Sequence, residues 1–402
     1  MDAKSIGETI AELRKSHGMT QLALAERLNV SDKAISKWEN GQGYPDITLF
    51  PLLASLFGVS IDYLMLRKKG IVVAGNMITD VVKNISDYPK LGMLTHVEDI
   101  SQAVGGCAPN TAIDLARIDP RLSVGVCGTV GMDENGRFIL SELQMNGVNV
   151  DRVVSLPGVS TSFCDVMSLP TGERTFFHKK GANAEFSPKH VDIKNLNCDI
   201  LHIGYILLLD QFDAEDEEYG TVMARFLHQV QERGIKTSVD VVSDSTADYG
   251  KKIIPALRYC DYVIINEIEC CSIWGLDPKK KDGGTDRAAI RLAMEKTAAA
   301  GARSKVIVHC KEASFLLDVR SGTFSEVASL RIPREQIRGS VGAGDAFCAG
   351  CLYGLYHHYP DRKLLEFASA AAACNLFAAN SVDGMRSKDE IFAMMDRYER
   401  LS

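Results

Sequence analysis

The chain has 402 residues, 46% hydrophobic and 24% charged, with a formal net charge of −7. That is room for two or three soluble domains, and the composition by itself selects no function. Residues 1–69 hold nine Lys/Arg against eight Asp/Glu, a balance of +1 that leaves −8 for the rest. Nucleic-acid binding by bulk charge is thereby excluded, and any such contact must come from a local cluster in the first segment.

The opening "MDAKSIGETI" has no apolar core of signal-peptide length. The most apolar late run, "FASAAAACNLFAA" (367–379), is too short to cross a bilayer. A cytoplasmic location without membrane contact is therefore expected. Eleven cysteines agree with it, since the count is odd and the spacing shows no disulfide framework. "CAGC" (348–351) matches C-x-x-C, but it lies in an apolar stretch where free thiols pack.

In chain order, the first 66 residues read as a bundle of short helices. "IGETIAELRKSHG" (6–18) sets Ile6, Ile10 and Leu13 at helical spacing and stops at Gly18. "TQLALAERLNV" starts from Thr20 as N-cap and is expected to bury Leu22, Ala25 and Leu28. "SDKAISKWENG" starts from Ser31 and ends at Gly41. "DITLFPLLASLFGVSIDYLM" supplies closing apolar helices, and "LRKKG" (66–70) contains a short linker, 67–69.

From Gly70 the period changes. "IVVAG", "LSVGVCG", "DILHIG", "IKTSVDVV", "DYVIIN" and "KVIVHC" are short β-rich runs, with helical stretches such as "EYGTVMARFLHQVQERG" and "DRAAIRLAMEKTAAAGA" between them. Strands alternating with helices predict an α/β domain over 70–402, a mostly parallel sheet covered on both faces. "VSTSFCDVMSLPTGERTFFHK" (159–179) breaks the alternation and reads as a hairpin, a small β lid.

Two helices joined by a tight turn, the second opening on short polar side chains, meet the helix-turn-helix requirement. Ile35 and Trp38 turn the second helix into the bundle, leaving Asp32, Lys33, Ser36 and Lys37 outward, where they can reach base edges. Gln21 and Asn40 sit at helix ends, where amides meet phosphates. The run from "LRKSHGMTQLALAERL" through "ISKWENGQGYPD" to "SIDYL" resembles the Cro/repressor-type (XRE-like) helix-turn-helix family over about 55 residues. The resemblance implies operator DNA as partner, a homodimer, and a recognition helix over 31–40.

Near the other end, "GSVGAGDAFCAG" (339–350) is a glycine loop opening a helix, which offers backbone N–H groups to an anion. Gly342, Ala343 and Gly344 suit the oxygens of a phosphoryl group in transfer, and Asp345 is placed to take a proton from an attacking hydroxyl. The bland alternative is a helix N-terminus capped by an acid. "GGCAPNTA" (105–112) sets Gly106 before Asn110, suited to sugar hydroxyls, and "AGNMITD" (74–80) carries Asn76 and Asp80 at a strand end. "INEIE" puts Asn266 and Glu269 where they can hold a magnesium ion directly or through water.

This ordered set resembles the ribokinase/PfkB carbohydrate kinases from Gly70 onward. The resemblance implies a ribokinase-like fold and an ATP:sugar phosphotransferase using Mg2+. Asp345 would be the base, Gly342–Gly344 the anion hole, and Asp80, Gly106, Asn110, Asn76 and Arg174 substrate contacts. Asn266, Glu269 and Lys311 would meet Mg-ATP. Two departures stand out. Gly339 and Ser340 replace the family's Asp-Thr, which puts dependence on a monovalent cation in question. The nucleotide loop is "HCKEAS" (309–314) without its glycines, so either obstruction of ATP or a change in which nucleotide fits is an expectation. Two functions remain open: a DNA-binding sugar kinase, or a regulator whose kinase-like domain only senses its ligand.

Overall fold

The computed structural model describes residues 3–57, 61–65, 70–171, 173–243 and 248–401, apart from the side chains of Ser5, Glu12, Ser16, Asp62, Tyr63 and Arg174. The chain forms two compact units, Met1–Lys69 and Gly70–Ser402. The predicted linker, 67–69, lies outside the described residues. No helix among those described is long and apolar enough to cross a membrane.

The first unit contains α1 (Ala3–Ser16), α2 (Gln21–Leu28), α3 (Asp32–Glu39), α4 (Phe50–Phe57) and α5 (Ile61–Met65). The Thr20 hydroxyl accepts the Ala23 N–H at 3.1 Å and the Ser31 hydroxyl accepts that of Ala34 at 3.2 Å, so both expected caps form. Asn29, in the left-handed region at φ 55°, makes the turn between them. The core gathers Ile6, Ile10, Leu24, Leu28, Ile35, Trp38 and Leu53. Leu22 is a correction: it is 58% exposed, and the stripe is Leu24, Ala25 and Leu28. Two residues before Leu24 lies the opposite side of a helix, which apolarity alone does not reveal.

In the second unit the described strands run β1 (Ile71–Gly75), β2 (Ile78–Ile85), β3 (Val97–Gly105), β4 (Val124–Gly131), β5 (Asn149–Leu156), β6 (Ser162–Ser168), β7 (Arg174–Lys179) and β8 (Ile200–Ile206). They continue with β9 (Glu215–Asp216), β10 (Gly220–Thr221), β11 (Lys236–Val241), β12 (Tyr262–Asn266), β13 (Lys305–His309), β14 (Ala313–Asp318) and β15 (Phe324–Ala328). The helices are α6 (Cys107–Ile118), α7 (Glu134–Met145), α8 (Val222–Glu232), α9 (Tyr249–Leu257) and α10 (Glu267–Ser272). After them come α11 (Arg287–Ala299), α12 (Ala343–Tyr356), α13 (Asp361–Asn375) and α14 (Lys388–Arg397).

Nine strands form one sheet in the order β15-β14-β13-β12-β11-β8-β1-β4-β5, parallel except at the β13–β14–β15 end. Fully apolar strands such as β1 need cover on both faces, and two separate cores provide it. One gathers side chains of α6, α12 and α13, the other those of α8, α9 and α11.

The lid is larger than the predicted hairpin. β6 and β7 pair antiparallel as expected, but β2 pairs parallel with β6 and carries β3 at its other edge, giving a four-stranded sheet. Asp80 accordingly belongs to β2 in the lid, not to the end of a parallel core strand. β1 leads through α6 to β4 on one side, while β8 leads to β11 on the other, so β1 and β8 flank the point where strand order reverses. Ligands of such sheets bind beyond the carboxyl ends of those two strands.

Candidate functional site

At that point Gly75 of β1 pairs with Gly204 of β8, and the Asn76 N–H donates to the Gly204 carbonyl at 3.2 Å. The Asn76 side-chain oxygen accepts the Cys107 N–H at 3.1 Å, which ties it to the start of α6. Gly106 caps that helix at φ 91°, and a Cβ there would stand 2.5 Å from the Asn76 carbonyl oxygen, so only glycine fits. A Cβ on neighbouring Gly105 would stand 2.3 Å from Asp80 Oδ2. Burial pushes the Asp80 carboxyl up to about 6.

Asp345 occupies the first turn of α12 behind Gly342, whose φ of 78° makes the loop turn into the helix. Both its oxygens are held. Oδ1 accepts the Tyr205 hydroxyl at 2.6 Å, and Oδ2 accepts the Asn110 amide at 2.8 Å. Asn110 is fixed in turn by the Ser381 hydroxyl, which donates to its Oδ1 at 3.0 Å. Burial raises the Asp345 pKa above the usual carboxylate range, and the Tyr205 and Asn110 hydrogen bonds pull against it. The side chain is therefore more than a helix cap. It is a desolvated acid whose ionised form is specifically supported.

A second acidic group lies at the start of α10 and the end of β11. Asn266 caps α10, accepting the Glu269 N–H at 2.8 Å and donating to Glu269 Oε1 at 2.7 Å. The Ser243 hydroxyl donates to the same Oε1 at 2.8 Å. Burial pushes Glu269 up to about 7. Asp240, near the end of β11, is raised well above its normal value by burial, then by the charges of Glu269 and Asp345. Asp240 thus lies in electrostatic reach of both Glu269 and Asp345. The Glu269 carboxylate, ion-paired with no described residue, suits a hard divalent cation such as Mg2+.

On the far side of the loop is a cavity of about 610 Å³, lined by His309, Lys311, Ser314, Ala343, Gly344 and Phe347, among others. The "HCKEAS" turn between β13 and β14 lines this cavity beside the α12 N-terminus, with Lys311 and Ser314 where the family loop has glycines. Position 339 holds no acid, and nearby the Val341 carbonyl accepts the Asn375 amide at 2.8 Å. Arg174 opens β7, opposite Ser168, with its side chain outside the described part. Asn183 is buried with its amide spent on both backbone groups of Met77, at 3.0 Å each.

In the first unit Asp32, Lys33, Lys37 and Asn40 are exposed and Ser36 half-buried. The Asn40 amide donates to the Ser36 carbonyl at 2.8 Å. Gln21 is more committed than expected, because its amide donates to Glu39 Oε2 at 2.8 Å. Glu39 also takes the Arg14 guanidinium at 2.6 and 2.9 Å. Burial pushes Glu39 up, but these donors outweigh it and hold the carboxyl below its usual range.

Tyr205 and Asp240 went unnoticed in the sequence. The run "DILHIG" stops one residue short of Tyr205, and "IKTSVDVV" hides an acid in an apolar strand. Inspecting the carboxyl end of every parallel strand would have found both.

A doubly wound sheet, a β lid over its switch point and a buried aspartate behind a glycine helix start define a ribokinase-like fold. The chain belongs to the pfkB family of carbohydrate kinases, whose family model matches residues 68–387, and a helix-turn-helix model matches residues 10–64. It is 25% identical over 333 residues to a ribokinase of Schizosaccharomyces pombe, covering 80% of this chain and 97% of that protein. The first segment is 38% identical over 81 residues to the HTH-type transcriptional activator BcrR of Enterococcus faecalis, covering 20% of this chain and 40% of the relative. The structure of Arabidopsis thaliana ribokinase complexed with ribose and ATP is similar in fold, with a TM-score of 0.68 at 21% identity, covering 81% of this chain and 98% of that one.

Proposed function

We propose that the second unit transfers the γ-phosphoryl group of ATP to a hydroxyl of a sugar or closely related small molecule, and that the first unit binds operator DNA. One observation carries the kinase reading: Asp345 and the 610 Å³ cavity share the first turn of α12. A nucleotide in the cavity would bring its terminal phosphate to the Gly342–Gly344 N–H groups. A hydroxyl arriving under the lid, between Asp80, Asn76, Gly106, Asn110 and Arg174, would meet Asp345 from the opposite side.

The chemistry follows from that placement. Asp345 takes the proton of the attacking hydroxyl, a contribution of about 10²–10⁴-fold. The N–H groups at the α12 start face the charge that develops on the transferring group. Asn266 and Glu269 would hold Mg2+, directly or through water, which neutralises phosphate charge when bound. Lys311 lies at the cavity wall as a further cation for the nucleotide.

The DNA reading is supported by the exposed Asp32, Lys33 and Lys37 on a capped second helix. A homodimer would present two such helices to paired half-sites, and the lid exposes Leu91, Leu94, Ile100 and Phe176 as apolar surface for a second copy. Ligand and DNA binding are then coupled through the dimer. The test is ATP consumption by the purified chain against a panel of pentoses, ketohexoses, keto-deoxy acids and nucleosides. Ligand-dependent turnover is expected; tight binding of sugar and ATP with no turnover would establish a sensor instead.

A further inference from the structure

We propose that His202, Asp240 and Cys348 form a buried site for a single borderline-soft transition ion such as Zn2+, distinct from the oxygen ligands assigned to Mg-ATP. One ligand atom from each of the three lies within 4.8 Å of the others. Cys348 is three residues beyond Asp345, one turn deeper on α12, and His202 and Asp240 come from the adjacent strands β8 and β11.

Three features make the cluster a built site. The first is spacing. Cys348 Sγ and His202 Nε2 are 3.5 Å apart, and Zn–S and Zn–N bonds of about 2.3 and 2.0–2.1 Å at a tetrahedral angle give roughly 3.6 Å. The second is orientation. His202 Nδ1 faces the Ser238 hydroxyl at 2.9 Å, the outer-shell partner that turns Nε2 toward a metal.

The third is charge. A thiol–imidazole hydrogen bond would account for Cys348 and His202 but not for Asp240. Asp240 accepts the N–H of neighbouring Val241 at 2.7 Å, and Glu269 and Asp345 add negative potential. A cation relieves what buried acids otherwise cost. His202 and Cys348 are sealed at 0% and 1% exposure, whereas Asp240 reaches 9%, so the ion enters from the crevice past Asp240. A Cβ on Gly204 would stand 2.7 Å from Cys107 Sγ and 3.3 Å from Asp240 Cβ, so Cys107 lies on the Gly204 side of Asp240. The N, S, O donor set selects zinc, or cobalt as its probe, over magnesium.

The test uses the full chain, dialysed against chelator and titrated with Co2+, then Zn2+, both as folded protein and after refolding with the metal. One equivalent of Co2+ with a thiolate-to-cobalt charge-transfer band, displaced by one equivalent of Zn2+, is expected. Cys348→Ala should abolish the band. Ser238→Ala should weaken binding about 10–100-fold, and Cys351→Ala, also buried on α12, should leave it intact. Circular dichroism checks that each variant is folded. No band in either preparation of the native chain, or a band that persists in folded Cys348→Ala, overturns the assignment. Because the readout is metal binding, the result is independent of whether the chain turns over ATP.

Discussion

The two units carry their polar chemistry in opposite ways. In the helical unit the residues proposed to work, Asp32, Lys33 and Lys37, stand in solvent, while the polar group inside it, Arg14 with Glu39, ties α1 to α3. In the α/β unit the residues proposed to work are themselves buried: Asp345, Asn110, Asp240 and Glu269 each expose less than a tenth of their surface. A phosphate backbone is read by solvated charges, each of modest and salt-screened worth. A proton must be taken where water cannot compete, and burial there shifts pKa values and magnifies each hydrogen bond. Substitutions in the first unit should therefore be small and salt-dependent, and those in the second large and pH-dependent.

The strongest test of that contrast is Asp345→Asn. Turnover should fall by about 10³–10⁴-fold in a steady-state assay, while the fold survives because the buried charge is removed and the shape kept. DNA affinity without ligand should not change. Gly342→Ala comes next. A Cβ there would stand 2.4 Å from the Ser381 carbonyl oxygen on a backbone at φ 78°, so the N–H donors must shift. A loss of about 10²–10³-fold in kcat, larger than any rise in KM for the sugar, is expected.

Coupling between the units should be of intermediate size. Saturating sugar, with or without nucleotide, should change operator affinity by about 5- to 150-fold, and operator must change ligand affinity by the same factor. Titrating operator with and without ligand measures it. Inserting about ten Gly/Ser residues after Lys69 should erase it if the short linker transmits the change. Equal affinities in the native chain would mean two independent functions.

Tyr205→Phe sharpens the pH side. As the proposed base Asp345 would work ionised, so activity should fall as pH drops through its pKa, and burial already sets that pKa above the ordinary value. Removing a donor to the ionised form raises it further. The acid limb of kcat/KM should move to higher pH, with kcat lower by about tenfold at neutral pH. An unmoved limb in an active variant would deny Tyr205 its influence on the base.

The smallest effects belong to the exposed lysines. Lys33→Ala and Lys37→Ala should each weaken operator binding several-fold and leave kinase kinetics alone. A lost phosphate contact lowers the salt slope by about one for every sequence, whereas a lost base contact relaxes preference at one position. Binding unaltered in both variants would remove α3 from the interface and break the comparison.

Local sequence carried a great deal of this. Thr20 and Ser31 as caps, the apolar runs that become β1, β8, β11, β12 and β13, and the glycines before Asp345 act over a few residues, so short-range pattern determines them. The sequence also placed Asp345, Asn110, Gly106 and Glu269 as candidates, because glycine turns and strand ends have their own signatures. What it could not decide depends on contacts between distant segments. Asn110 and Asp345 are 235 positions apart and Tyr205 and Asp345 140, yet they share one carboxylate. The lid's second half required β2 to find β6, and the open cavity required the β13–β14 turn to meet α12 and α13. The neighbours of His202, Asp240 and Cys348 likewise exist only once β8, β11 and α12 are packed. Hydrogen bonding and desolvation act through space, and they turned a common helix-start acid into a poised one.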